Sequence, residues 1–135
     1  MTVETDRTPH RLRRLRWIPQ VVLALVMLAA GAAKLGGEPA MVDMFDDIGA
    51  GRWFRYLVGA LEVAGAVGLL VPRMARYAAL GLTLLLTGAV ITNLAVLRTS
   101  PWSALALLAL AAGTAALLRV DHDGTGRTVP SAEER

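Results

Sequence analysis

The chain contains no cysteine. That removes structural disulfides, thiolate metal sites, iron–sulfur ligation and thiol redox chemistry. Histidine is almost as scarce. His10 and His122 both stand outside the long apolar runs, so no bis-histidine haem site can form between those runs. There is no phosphate-binding loop, no dinucleotide fingerprint and no zinc-ligand spacing. The glycines between Gly59 and Gly68 lie inside an apolar run, not after a strand. Charge inside the apolar runs is the third scarcity. None occurs between Arg76 and Arg98, and between Arg55 and Arg73 there is only Glu62.

Apolar residues fill the space these absences leave. They make up 55% of the chain, and the mean hydropathy is +0.51, beyond the range of an ordinary soluble domain. The length suits one domain. A net charge of +3 and a pI of about 10.2 would suit a nucleic-acid binder. The arginines, however, gather in the N-terminal tail and at the edges of the apolar runs, with no basic groove and no aromatic platform. This distribution fits orientation in a membrane, and nucleic acid is not expected as a partner.

Four apolar runs follow one another: 17–35, 53–71, 75–97 and 102–118. About 18 residues at ~1.5 Å each span about 27 Å, close to the hydrocarbon thickness of a bilayer. Runs of this length are too long for barrel strands, and lipid admits only helices or closed barrels. The expected fold is therefore all-α: a polytopic membrane protein with an antiparallel bundle of four transmembrane helices in residues 17–118. Trp17, Trp53 and Trp102 stand at span ends, with Tyr56 and Tyr77 near ends, as an aromatic belt requires. Pro72 ends the second run, and Ser100 with Pro101 is expected to cap and open the fourth.

Residues 1–16 read as a solvated basic tail, and residues 119–135 as a mobile polar one. The tail, the first run and Ala30-Gly31-Ala32 also follow the order of a secretory signal peptide. The run is long for that role, so a retained span is expected; cleavage would leave three. Asp121, His122 and Asp123 form a lone triplet beside a glycine, and no metal is expected there. The loop 36–52 opens with Gly36-Gly37-Glu38-Pro39, which breaks the first helix. Met41, Met44, Phe45 and Ile48 then recur at helical spacing, with Asp43, Asp46 and Asp47 between them. That pattern predicts a short amphipathic helix at the membrane surface, either a lid over a lipid-facing mouth or a packed connection.

Four spans place both termini on one side. That side collects the tail arginines, Arg73, Arg76 and Arg119, whereas the other holds Lys34, Arg52, Arg55, Arg98 and the acidic loop. The excess predicts cytoplasmic termini in the cell's inner (plasma) membrane.

Glu62 is the one acid within the spans. A charge at such depth costs at least about 2.5 kcal/mol, so it should face the bundle interior and find partners. Gly59, Gly65, Ala66 and Leu69 share its helix face, and small residues there allow a neighbour to come close. Ala60 and Ala64 offer a second small face. Antiparallel threading puts Lys34, Glu62 and Asn93 in the same outer half, with Arg55 above Glu62. These four form the expected polar cluster. It is either a clasp that fixes helix register or a site. In a site, Glu62 is the proton donor or acceptor and the catalytic candidate, Lys34 its electrostatic partner and Asn93 an orienting group. Thr83, Thr87 and Thr92 are expected to bond their own backbone.

Three stretches together resemble a family. Ala29-Ala30-Gly31-Ala32-Ala33-Lys34-Leu35 is similar to the end of the first helix in DoxX-like membrane proteins. Gly59-Ala60-Leu61-Glu62, continued to Pro72, is similar to their second helix. Arg76-Tyr77-Ala78-Ala79-Leu80-Gly81-Leu82 is similar to the start of their third. Asn93 departs from the pattern, because many relatives carry a histidine near that place. The resemblance implies four transmembrane helices. Through the family's namesake it also implies association with a thiosulfate:quinone oxidoreductase, hence a quinone as cofactor and a redox protein as partner. The functional expectation is thus a quinone-associated or redox-partner membrane subunit. Its alternatives are a membrane enzyme doing acid–base chemistry on a lipophilic substrate through Glu62, and a non-catalytic packing or small-solute-permeation module, the latter as a homo-oligomer.

Overall fold

The structure, a computed structural model, describes residues 8–98 and 100–124. Among them there are five α-helices and no strand: α1 (Thr8–Gly36), α2 (Pro39–Ile48), α3 (Gly51–Leu70), α4 (Ala75–Thr92) and α5 (Trp102–Gly124). A π-helical turn, Asn93–Leu97, continues α4. Four windows are long and apolar enough to cross a membrane: Trp17–Gly36, Gly51–Leu70, Ala75–Leu97 and Trp102–Val120.

The helix ends follow local chemistry. Gly37 adopts φ 72°, and the Glu38 N–H reaches back to the Ala33 carbonyl at 3.1 Å, which closes α1 in a Schellman-type turn. Gly49, at φ 74°, ends α2 with its N–H on the Asp46 carbonyl. The α3–α4 connection is only 71–74, with Pro72 unable to prolong α3. The Leu105 N–H donates to the Pro101 carbonyl, so Pro101 occupies the position just before the first turn of α5. The sequence pattern had put Ser100 there; the difference is one residue.

Both end helices outrun their apolar windows. α1 begins at Thr8 and α5 continues to Gly124, so parts of the two polar tails extend the neighbouring helices. No proline or glycine interrupts 10–18 or 114–123, and arginine and leucine sustain a helix well. Residues 1–7 and 125–135 lie outside the described residues.

Side-chain contacts give the topology. Gln20 near one end of α1 meets Leu69 near the far end of α3, while Lys34 meets Glu62 and Arg55 at the other. Gly65 faces Leu82 and Gly68 faces Ala78. α1 and α3, and α3 and α4, therefore run antiparallel. α1 lies on α3, α3 on α4, α4 on α5 and α5 on α1, which closes a four-helix ring. Its centre is filled by Leu23, Met27, Leu69, Leu82 and Leu86 together with small residues such as Ala66, Ala79 and Ala111. Thr83, Thr87, Thr92 and Thr114 each donate to the carbonyl four residues earlier. That consumes their hydroxyls within their own helices.

The exterior is apolar as well. Leu25, Leu61, Leu84 and Ile91 are exposed along the spans, and Trp17, Trp53, Trp102, Tyr56 and Tyr77 are exposed near their ends. An apolar shell around a packed apolar core is what hydrocarbon solvent demands. The chain is a multi-pass integral membrane protein.

Helix α3 meets its two spanning neighbours, α1 and α4, but not through the two faces expected. Gly59 and Glu62 address α1, whereas Gly65 and Gly68 address α4. Ala60 and Ala64 are exposed. The glycines admit the closer contact because they lack Cβ altogether.

Two classes of glycine follow. A Cβ on Gly31 would stand 2.8 Å from the Gly59 carbonyl oxygen, which is backbone and cannot turn away. Gly31→Ala should therefore destabilise the protein by about 1–3 kcal/mol. Around Gly88 nothing lies within 4 Å, so Gly88→Ala should be neutral or stabilise by up to about 1 kcal/mol. Denaturant titration in detergent, read by circular dichroism, checks the contrast.

Candidate functional site

The polar cluster is built where α1 and α3 cross. Each helix presents a glycine followed three residues later by a charge: Gly31 and Lys34 on α1, Gly59 and Glu62 on α3. Three residues is nearly one helical turn, so glycine and charge share a face. The two faces meet reciprocally. The Cβ of Glu62 lies 3.2 Å from where a Gly31 Cβ would be, and the Cβ of Lys34 lies 3.0 Å from where a Gly59 Cβ would be. Each glycine thus makes room for the stem of the opposite charge.

The two charges then pair. Lys34 Nζ donates to Glu62 Oε1 at 3.0 Å, and Oε2 stands at the same distance from the ammonium. Only Oε1 is aligned for a hydrogen bond; Oε2 is buried and has no hydrogen-bond partner among the described residues. The side chains are 12% and 7% exposed, so both charges have left water and depend on one another.

Arg55 is just as deeply placed, at 3% exposure, but does a different job. Its Nη1 donates to the Lys34 main-chain carbonyl, one of the last carbonyls of α1, which have no donor in their own helix. The cation also complements the negative end of the α1 dipole. Gly37 lies against the guanidinium, and the Arg55 Cζ sits 4.6 Å from the centre of the Tyr56 ring.

At the opposite end of the same crossing, Gln20 is buried and its Nε2 donates to the Leu69 carbonyl, among the last of α3. Gln20 and Arg55 therefore cap each other's helices. Sequence reasoning treated Gln20 only as an interruption of an apolar run. The signal was available: a lone amide near one end of a span needs a partner, and an antiparallel neighbour offers its unbonded carbonyls there.

Of the four residues expected to meet, Lys34, Arg55 and Glu62 are joined by direct contacts. Asn93 is half-buried at the start of the π-helical turn, at the same end of the bundle. That turn packs against α2 and ends at Arg98, which adopts φ 47° and returns its N–H to the Asn93 carbonyl. The π-helical geometry was not expected from sequence. α2 lies on α3 through Phe45, which is buried with its ring 5.8 Å from that of Phe54. Met41, Met44 and Ile48 are half-buried, and Asp43, Asp46 and Asp47 are exposed, so the amphipathic pattern is realised as a helix with its apolar face inward. No group of three or more metal-ligating side chains occurs among the described residues.

Comparison with known proteins agrees with this architecture. The DoxX-like family matches residues 18–117. Over 62 residues the chain is 37% identical to the uncharacterized protein YdgD of Bacillus subtilis (strain 168). That stretch is 46% of this chain and 54% of YdgD, so the chain spans about half the length of this relative. No solved structure matches.

The pair's interdependence is measurable. Glu62→Leu alone, or Lys34→Met alone, leaves an uncompensated buried charge and should cost about 3 kcal/mol. The double variant removes both charges and should lose less than either single one. A double-mutant cycle in detergent reads the difference; additive losses would mean that the two side chains do not interact.

Proposed function

The chain belongs to the DoxX-like family, and from that premise we propose that it is a quinone-associated membrane subunit working with a redox partner. The reading rests above all on one observation: a buried lysine–glutamate pair at a close helix crossing whose second carboxylate oxygen lacks a hydrogen bond. A pair serving register alone gains most when every polar atom is satisfied. Here a charged acceptor is held, incompletely satisfied, at the end of the bundle that also bears α2. A quinone-like head could exchange hydrogen bonds with this pair while its tail lies among the exposed leucines. Lys34 would orient the head and Glu62 would hold or move a proton at Oε2.

The described residues offer no thiol or haem ligand pair, so electrons would pass between the bound quinone and a partner protein. α2 packs on α3 and on the π-helical turn at this end, with its carboxylates exposed. The distribution of arginine supports an orientation with both termini in the cytoplasm and α2 on the outer face of the plasma membrane.

Two measurements test this. The protein purified from membranes should yield an isoprenoid quinone on solvent extraction, in stoichiometric amount, and Lys34→Met should retain roughly tenfold less. Repeated purification without quinone, and without a protein partner on crosslinking, would contradict the reading. The orientation is read separately. Because the chain lacks cysteine, Asp46→Cys and Arg73→Cys each introduce a unique thiol. A membrane-impermeant maleimide applied to intact cells should label the first and spare the second.

A further inference from the structure

The hydrogen-bonding capacity of the Lys34–Glu62 pair indicates what kind of head the site takes. An ammonium has three N–H groups, and one of those on Lys34 is aligned on Glu62 Oε1. An ionised carboxylate only accepts, and its Oε2 is buried without a hydrogen bond. The residues flanking the crossing, Gly31, Gly59 and Val63, bring no side-chain donor to it. Arg55 donates to the Lys34 carbonyl. The pair therefore offers further N–H groups on Nζ and, beside them, an acceptor in Oε2 that touches the ammonium at 3.0 Å without an aligned hydrogen bond.

We infer that this pair binds a lipophilic molecule through a hydroxyl group, which donates to Glu62 Oε2 and accepts from Lys34 Nζ. The site then selects a phenol or a hydroquinol over the matching quinone. A quinone carbonyl only accepts. It can take a bond from Lys34, but it leaves Oε2 with only its ionic contact to the ammonium, and a buried acceptor without an aligned hydrogen bond is where the cost lies. A hydroxyl satisfies both groups at once. Oε2 is screened from solvent, and the adjacent Lys34 side chain is 12% exposed. The inference rests on the proposed function only in that a lipophilic ring reaches this pair; the preference follows from donor and acceptor counts.

Equilibrium dialysis of the full chain in detergent micelles tests it with three probes: a short-chain quinone, its quinol kept reduced under anaerobic conditions, and a redox-inert alkylphenol. The quinol and the alkylphenol should bind at least about tenfold more tightly than the quinone, the factor a hydrogen bond to a charged group confers. Equal binding of quinol and quinone would overturn the inference and leave quinone association standing. Binding of the alkylphenol with rejection of both quinone forms would uphold hydroxyl recognition and contradict quinone association. Failure of all three would overturn both. Glu62→Gln places an amide N–H beside the head and should abolish the preference. If that variant does not fold, the wild-type ratio still decides.

Discussion

Two glycines that let two helices touch govern the rest of the molecule. At Gly31 and Gly59 the backbones of α1 and α3 come so close that a Cβ on Gly31 would collide with the Gly59 carbonyl, and one on Gly59 would be crowded at 3.0 Å by the Lys34 Cβ. In hydrocarbon there is no hydrophobic drive to bring helices together, so association depends on packing and on polar contacts. The glycines supply the first and, by the same closeness, make the second possible. The stems of Lys34 and Glu62 each run beside the opposite glycine, and the charged ends meet at 3.0 Å. Without the close approach, a lone acid near the middle of α3 would stand in lipid at a cost of several kcal/mol.

The same crossing explains the two caps. With register fixed at its centre, the ends of α1 and α3 fall where Arg55 can reach a carbonyl of Lys34 and Gln20 can reach that of Leu69. Backbone groups left over at helix ends are costly near lipid, and each helix thereby answers the other's need. The bundle consequently has two unlike ends. One holds a single amide and a tight four-residue connection. The other collects Lys34, Arg55, Glu62, α2 and the π-helical turn.

Much of this was legible in the sequence because hydrocarbon imposes a simple grammar. Run length gave four spans, tryptophans marked their ends, and Pro72 and Gly37 marked where helices stop. The acid in the second span announced that it needed a partner, and antiparallel threading pointed to Lys34. Other features depended on three-dimensional details that periodicity does not carry. Gly59, Ala60 and Ala64 are all small, yet only the glycine is used, because the choice rests on a Cβ-sized gap. The π-helical turn at Asn93–Leu97 inserts one residue into a ladder that reads as ordinary helix. The cap role of Gln20 became visible only once the partner's free carbonyl was in place.

The account stands or falls on direct contact between one lysine and one glutamate inside a bilayer. Lys34 is the only lysine in the chain, so isotopic labelling of lysine Nζ reports on a single site. Solid-state NMR on lipid-reconstituted protein, with nitrogen-labelled lysine and side-chain carboxyl-labelled glutamate, measures the separation directly. The account predicts strong dipolar dephasing between Lys34 Nζ and a glutamate carboxyl carbon, as an N–O distance of 3.0 Å requires, and its loss in Glu62→Gln. No dephasing in the folded wild-type protein would place Glu62 away from Lys34 and contradict the account at its root.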